Sequence, residues 1–495
     1  MSTLSRPSID NDEAYTVVLA RHGFWPMLRL FRTEANGLLY PLVYWPIARF
    51  GEGATPVRIL ALIAGVAAIP VVYLVGREFA GRRVALAGAA LIAVNPNAVA
   101  LSQYGRAYSF ALVLGTVSYL ALLRARGGAR GAWVAYAIAT ALAGYAQILA
   151  LLLLPLGQVV TVMASGKRFA FAWLRALGAT AILAVPIAAL AVSEATRRNP
   201  VGWLAPPRLA AAVGFLASFT VGRLEYHVAA DGSTHLLKPV VLVPLVWVVV
   251  IAAGFWRSRR LVSHRWATDP LVGLLAWTAI PPLALFAISQ VKPVFYPDTY
   301  LATSLPGACL LVVAAADRLA TIWLRASVAA VIAGSFLAAA WATTHPNVTD
   351  NRGVGRWLAA NRASSTPLVL DPLEGVIPLG YYDPSLRTRS GRIDVPEWHE
   401  AGLPAGVSGY EVRGSYSPGT LAPPTKRTLS PILKASRDHS LVMVVELGVI
   451  PEVDGLESPG VHWLETICET RRLVYTGITI LVASNCNNDE PTPLS

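Results

Sequence analysis

The sequence predicts an α-helical polytopic membrane protein of about ten transmembrane helices, with interfacial helices in a first outer loop and an extracytoplasmic C-terminal α/β domain. Three observations predict it. The 495 residues are 55% hydrophobic and only 14% charged, with a mean hydropathy of +0.52, whereas a soluble globular chain carries about a quarter charged residues. The apolar residues gather into runs long enough to approach a bilayer core. The basic residues behind the net charge of +12 fall into the short loops between those runs.

In chain order, residues 1–56 form the first outer loop. Its stretches 14–31 and 38–50 are apolar and aromatic but too short or too interrupted to span. Trp and Tyr favour the headgroup level, so both predict helices lying along the outer leaflet. Apolar runs at 57–79, 84–101, 107–123, 132–147, 148–164, 176–192, 239–256, 270–290, 300–316 and 326–343 build a transmembrane domain over 57–343. Within the outer loop 193–238, the stretch 209–221 also reads as interfacial. Residues 344–495 form the C-terminal domain, with strands at 368–370, 441–445 and 478–482, a helix near 354–361 and a frayed end from 487.

Loop charge orients these elements. One set of loops carries Arg77, Arg82 and Arg83, then Arg124, Arg126 and Arg130, then Lys167, Arg168 and Arg175, then Arg257, Arg259, Arg260 and Arg265, then Arg318 and Arg325. The interleaved loops near 102–106, 145–146 and 291–299 carry only Arg106 and Lys292. The positive-inside rule makes the first set cytoplasmic, in a multi-pass protein of the plasma membrane with both 1–56 and 344–495 outside. An outer N-terminus without a helix to carry it across leads us to expect an inward-starting helix upstream of Met1. A basic balance that would suggest nucleic acid in a soluble protein is topology here, so no nucleic-acid partner is expected.

Cys309 lies in an apolar run and reads as packing. Cys468 and Cys486, 18 residues apart in the C-terminal domain, leave a disulfide and two free thiols both open. No metal-ligand spacing and no cofactor motif is visible.

Four constellations carry chemistry. The first is Asp12-Glu13-Ala14-Tyr15, where acids at a helix N-terminus read either as capping or as a general base tuned at the membrane surface. The second is Gln103-Tyr104-Gly105-Arg106-Ala107-Tyr108. An Arg at this depth is costly unless paired or solvated; snorkelling is the bland reading, and Gln103 and Tyr108 beside it favour a site for an anion or a sugar. The third runs from Glu34 through Asn36 to Tyr40, a polar step that also reads as turn chemistry. The fourth is the outer loop from Lys292 to Tyr300, where Lys292, like Lys238, reads as a lipid-phosphate ligand or as an ordinary interfacial lysine. Topology places all four on the outer face.

The order of these features resembles a known class. The acidic pair is followed by a polar-acidic step before a Leu-Tyr run, then Val57-Arg58-Ile59-Leu60, then Gly76-Arg77-Glu78-Phe79-Ala80-Gly81-Arg82-Arg83. Asn95-Pro96 then leads to Gln-x-x-Arg-x-Tyr. This resembles the GT-C glycosyltransferases, in the bacterial branch related to protein O-mannosyltransferases of family 39 and to lipopolysaccharide core sugar transferases. The resemblance is clearest over residues 10–165 and weaker over 270–380. It implies Asp12 as the catalytic base with Glu13 beside it, and Glu34 as a second acid. Asn36, Tyr40, Gln103, Arg106, Tyr108, Lys292 and Tyr300 become substrate-binding candidates, Arg106 and its neighbours facing the carrier phosphate. The implied reaction transfers a hexose, mannose favoured, from a polyprenyl-phosphate donor to a hydroxyl on a protein, glycan or lipid, with inversion and without a cofactor. Two positions depart from the pattern: Thr299-Tyr300 stands where relatives tend to carry Arg-Tyr, and Tyr104-Gly105 where they often carry Glu-Ala.

The departures keep open a catalytically impaired member that binds lipid-linked sugar. A transporter or flippase of lipid-linked sugars is the other alternative. Transporters place charges at mid-membrane and show repeated halves, whereas the apolar runs here are nearly free of charge and no repeat is visible.

Overall fold

The computed structural model describes residues 4, 8–21, 24–30, 37–50, 54–197, 206–207, 219–220, 227–228, 234–235, 242–261, 269–292, 294, 297–319, 321–344, 349–363, 366–371, 376–383, 386, 407–409, 426–436, 440–446, 459–475 and 478–486. The interfacial stretch expected at 209–221 falls largely outside them.

The first loop folds into three short helices, α1 (Asn11–Arg21), α2 (Phe24–Leu30) and α3 (Leu39–Tyr44). Around α2 and α3 the surface is aromatic: Trp25 is 71% and Phe50 89% exposed, and Phe24 meets Trp45 edge-on at 5.3 Å. Arg49 lies 3.5 Å over the Trp45 ring. Exposed aromatics with a cation beside them suit the headgroup region better than bulk water.

Each apolar run is helical. They form α4 (Ala54–Ala80), α5 (Arg82–Val94), α6 (Pro96–Ser102), α7 (Tyr108–Arg126), α8 (Ala132–Ala146), α9 (Ala150–Ala164) and α10 (Lys167–Arg197). After a small antiparallel hairpin, β1 (His227–Val228) and β2 (Thr234–His235), come α11 (Leu242–Leu261), α12 (Pro270–Val291), α13 (Pro297–Tyr300), α14 (Leu305–Ala316) and α15 (Thr321–Thr344). Among the described residues four helices are long and apolar enough to cross a membrane, or five if the bent pair α5–α6 counts as one span. That is fewer than the ten runs counted from sequence. Of the other five runs, α8, α9 and α14 have 15, 15 and 12 residues, and at 1.5 Å per residue such helices fall short of a core about 30 Å thick. The described apolar stretches of α11 and α15, Val243–Ser258 and Ala326–Ala340, are short as well.

Asn95-Pro96 makes the bend. The Asn95 side chain accepts the N–H groups of Asn97 (3.0 Å) and Ala98 (3.1 Å), and Pro96 opens α6 where a missing N–H is harmless. The two helices meet at 59°, and the Asn95 amide also donates to the Phe219 carbonyl at 2.8 Å.

The bundle is centred on α14, in which all twelve residues are buried. A helix that is apolar all round belongs in the middle of other helices. Close approach needs small residues: a Cβ on Gly254 of α11 would sit 2.5 Å from the Ala315 carbonyl oxygen, so only glycine lets α11 lie against α14 there. Trp277 of α12 is fully buried, donates to the Thr303 carbonyl at 3.0 Å and stacks on Tyr119 with ring centroids 4.0 Å apart. A second brace joins α7, α8, α9 and α10. Trp173 donates to the Tyr136 hydroxyl (2.8 Å), which donates to Gln158 Oε1 (2.8 Å), while Gln158 Nε2 donates to Ser118 (3.2 Å). Polar groups satisfied in this way hold helices together in an apolar medium.

The C-terminal segment contains a five-stranded mixed sheet. Its strands are β3 (Leu368–Asp371), β4 (Val407–Gly409), β5 (Leu441–Glu446), β6 (Glu469–Tyr475) and β7 (Ile478–Ser484), in the order β4-β3-β5-β7-β6. β3 runs parallel to β4 and β5, and β7 antiparallel to β5 and β6. The period-2 alternation of strands sorts the side chains. Leu368, Leu370, Val442 and Val444 face α16 (Asn351–Asn361) and α17 (Val376–Tyr382). Val369, Leu441, Met443 and Val445 face α18 (Lys426–Ala435) and α19 (Pro459–Ile467). A disulfide joins Cys468 to Cys486, closing the open end of the β6–β7 hairpin. The α16 face also receives Ile9, Ala14 and Ala54, so the sheet is packed against α1 and the start of α4.

Candidate active site

The two adjacent acids of the first loop are sorted by α1 into different environments. Asp10 precedes the helix, and its carboxylate accepts the Asp12 N–H at 3.2 Å, while Glu13 reaches back to the Asp10 N–H at 3.3 Å. This is a reciprocal cap, with acids placed where the helix dipole favours them. The turn then drives Glu13 inward and leaves Asp12 outward.

Glu13 is fully buried, and Arg58, near the start of α4, is 3% exposed. Arg58 Nε donates to Glu13 Oε1 at 2.7 Å and Nη2 to Oε2, while the remaining Arg58 donors reach the carbonyls of Leu4 (2.7 Å) and Ser8 (2.9 Å). Glu13 Oε1 also accepts the Gly105 N–H at 2.7 Å. With both oxygens committed to a bidentate guanidinium and two backbone amides, Glu13 is a structural carboxylate. The resemblance implied Glu13 as a catalytic residue beside Asp12; here its carboxylate is enclosed in the ion pair with Arg58.

Asp12 is 46% exposed. Its Oδ2 accepts from the Tyr104 hydroxyl at 3.0 Å and lies 3.6 Å from Nε of Arg106, which is 11% exposed. The functional expectations for Asp12 and Arg106 thus meet at one oxygen. Tyr104 was given no role from sequence, where it stood only inside the Gln103–Tyr108 stretch and as half of a departure from the family pattern. The available signal was a hydroxyl-bearing aromatic two residues from Arg106 on the same outer loop.

The other half of that departure has a physical reason. A Cβ at position 105 would come within 2.9 Å of Val57 Cγ2 and 3.1 Å of Glu13 Oε1, so glycine lets the loop backbone reach Glu13. Gly105→Ala is expected to cost about 1–3 kcal/mol through overpacking and to displace Tyr104 from Asp12. The unfolding midpoint of the purified protein would read this, and a midpoint equal to that of the parent would refute it.

Tyr108 is 7% exposed in the first turn of α7 and stacks parallel to Tyr104, centroids 6.0 Å apart at 7°. Its ring supports Tyr104. Tyr40, a substrate-binding candidate by the resemblance, is 1% exposed, and its hydroxyl donates to the Val57 carbonyl and accepts the Ala61 N–H at 3.2 Å. Burial pushes its phenol well above the ordinary range, so the donor stays protonated and ties α3 to α4.

Gln103 caps the C-terminus of α6 and is half-buried. Lys292 caps α12 and is exposed. Tyr300 ends α13, half-buried against the central cluster, and the carbonyl of the buried Thr299 accepts from Gln147 Nε2 at 3.2 Å. Gly37 lies between the same loops, since a Cβ there would be 3.8 Å from both Ala107 and the Ala146 carbonyl. The turns at 37, 104–108, 146–147 and 299 therefore converge at the end of the bundle that carries α1. Thr299 supplies no cation; among the described residues Arg106 lies beside Asp12. Glu34, Asn36 and Lys238 lie outside the described residues. Among the described residues no three His, Cys, Asp or Glu side chains are grouped to hold a metal ion.

The fold has solved counterparts. ArnT from Cupriavidus metallidurans in the apo state aligns over 99% of this chain and 96% of its own, at 13% identity and a TM-score of 0.56. ArnT from the same organism bound to undecaprenyl phosphate aligns over 99% and 97%, at 14% identity and a TM-score of 0.57. No protein-family model and no curated protein sequence matches the chain. At this identity the likeness is one of fold, extending through the membrane helices and the C-terminal sheet alike.

Proposed function

We propose that this multi-pass membrane protein is a GT-C glycosyltransferase, moving a hexose, with mannose favoured, from a polyprenyl-phosphate donor to an acceptor hydroxyl at the outer membrane face. The observation that carries the reading is the half-exposed Asp12 carboxylate, oriented by Tyr104 and set beside Arg106. An accessible carboxylate held by a hydroxyl on a rigid loop is built to accept a proton, and a cation next to it suits a departing phosphate.

In this mechanism Asp12 takes the proton of the acceptor hydroxyl. The acceptor oxygen bonds to the anomeric carbon from the side opposite the carrier, inverting it. The bond from that carbon to the phosphate oxygen breaks, and the lipid phosphate leaves with the electron pair, countered by Arg106. Gln103, Lys292, Tyr300 and Asn36 are the further substrate-binding candidates, and Glu34 is the second acid. The shared fold of a structure bound to undecaprenyl phosphate supports a polyprenyl carrier. The acceptor would be a protein, glycan or lipid.

Two observations support an outer location for residues 1–56 and 344–495. The cytoplasmic ends assigned by loop charge lie opposite the α1 end, and the Cys468–Cys486 disulfide fits an oxidising compartment. The test is transfer by the purified protein in vesicles from radiolabelled polyprenyl-phosphate mannose and related sugars. Loss of label from the lipid to an envelope extract is expected, and retention of label on every lipid donor tried would sink the reading.

A further inference from the structure

Asp12 stands in the first turn of α1, whereas its partners Tyr104 and Arg106 lie on the turn that joins α6 to α7 in the membrane bundle. Something must therefore hold the chain just before Asp12 still. Residues 8–10 have no regular secondary structure of their own, so their place depends on what binds them. One set of contacts comes from the bundle, through Arg58 to the Ser8 carbonyl. The other set comes from the C-terminal domain.

The Tyr382 hydroxyl, at the end of α17, accepts the Ile9 N–H at 2.8 Å. The Asn351 amide, in the first turn of α16, donates to the Ile9 carbonyl at 3.2 Å and is itself 3% exposed. Both backbone groups of one residue, three positions before Asp12, are thus taken by two side chains of the C-terminal domain. The Ser8 hydroxyl donates to the Thr349 carbonyl, just ahead of α16. The Ile9 side chain is fully buried in a cluster with Val354, Leu358, Leu379 and Ile480. A two-point backbone grip of this kind copies the pairing of a strand and fixes both position and direction.

Resting on the reading of Asp12 as the base, we propose that Tyr382 and Asn351 are positioning residues of the transfer reaction, through which the C-terminal domain sets Asp12 against Tyr104 and Arg106. Neither touches the reacting atoms. Their effect is geometric, and misplacement of a catalytic group by about 1 Å is enough to cost about a hundredfold in rate.

The experiment uses the full chain in lipid vesicles, with turnover of polyprenyl-phosphate mannose measured for Tyr382→Phe, Asn351→Asp, Asp12→Asn and the double variants with Asp12→Asn. Tyr382→Phe removes only the acceptor for Ile9, and Asn351→Asp exchanges the amide donor for an acceptor. Each single variant is expected to lower kcat by about 10- to 100-fold, with KM for the lipid donor within about twofold. In the Asp12→Asn background the further loss should vanish, because there is no base left to misplace. Unchanged kcat in both single variants would overturn the proposal, as would a loss of equal size in the two backgrounds. Should Tyr382→Phe fail to fold, the Asn351→Asp pair decides by the same criterion. Full activity of Asp12→Asn alone would defeat the base assignment itself, and that result is read without any change at Tyr382.

Discussion

Asp12→Asn is expected to lower sugar transfer by about 10²- to 10⁴-fold while leaving the fold intact. The amide has the shape of the carboxylate, and its oxygen can still accept the Tyr104 hydroxyl that lies 3.0 Å from Oδ2. What it removes is the proton acceptor, and general-base catalysis is worth about 10²- to 10⁴-fold. At roughly 1.4 kcal/mol per factor of ten, the barrier rises by about 3–5 kcal/mol. Stability should hardly respond, because Asp12 is 46% exposed and its contact with Arg106 is long, at 3.6 Å. The decisive pair of measurements is turnover and unfolding midpoint. Parental turnover would refute the base assignment, and a collapsed midpoint would show that Asp12 is structural.

Arg58→Ala is expected to do the reverse, unfolding the end of the bundle that carries α1. Arg58 is 3% exposed and Glu13 is completely buried. Removing the guanidinium strands a carboxylate away from water and deprives the Leu4 and Ser8 carbonyls of their donors. Breaking a buried pair from one side typically costs about 3–5 kcal/mol, a large part of the whole stability of a domain. Arg58→Lys should fail as well, because a single ammonium cannot span both Glu13 oxygens and two carbonyls as the planar fork does. Replacing both partners, Glu13→Leu with Arg58→Leu, should restore part of the loss, since no buried charge remains unpaired. Unfolding of the purified variants in detergent checks this, and a parental midpoint for Arg58→Ala would refute it.

These two residues show where sequence reasoning stops. Adjacent carboxylates at a helix start carry identical chemistry, and nothing in Asp12-Glu13 says which one is consumed by the fold. A helix turns by about 100° per residue, so neighbours must face different ways, but the direction of the interior is a property of the packed chain. Arg58 was visible only as part of a motif, and its partner lies 45 residues away. Tyr40 was a substrate-binding candidate through the family resemblance, and only the packed chain shows its hydroxyl spent on the α4 backbone. The pairing of Asp12 with Tyr104 spans 92 residues, and the grip on Ile9 by Asn351 and Tyr382 spans 342 and 373. Contacts at such separations leave no local pattern.

The sequence by itself determined that residues 57–343 are built of apolar helices and where those helices lie, but not the helices α17, α18 and α19 of the C-terminal segment. Helical spans in lipid satisfy their own backbone and advertise themselves by composition alone. It also determined that the candidate acids and bases fall on the loops between one set of helix ends, because loop charge is a local signal. Tertiary structure decided how long each helix is, which acid is free to react, why glycine stands at 105, and that the C-terminal sheet holds the segment leading into Asp12. Those outcomes depend on which surfaces meet, and the meeting of distant surfaces is settled only when the chain is packed.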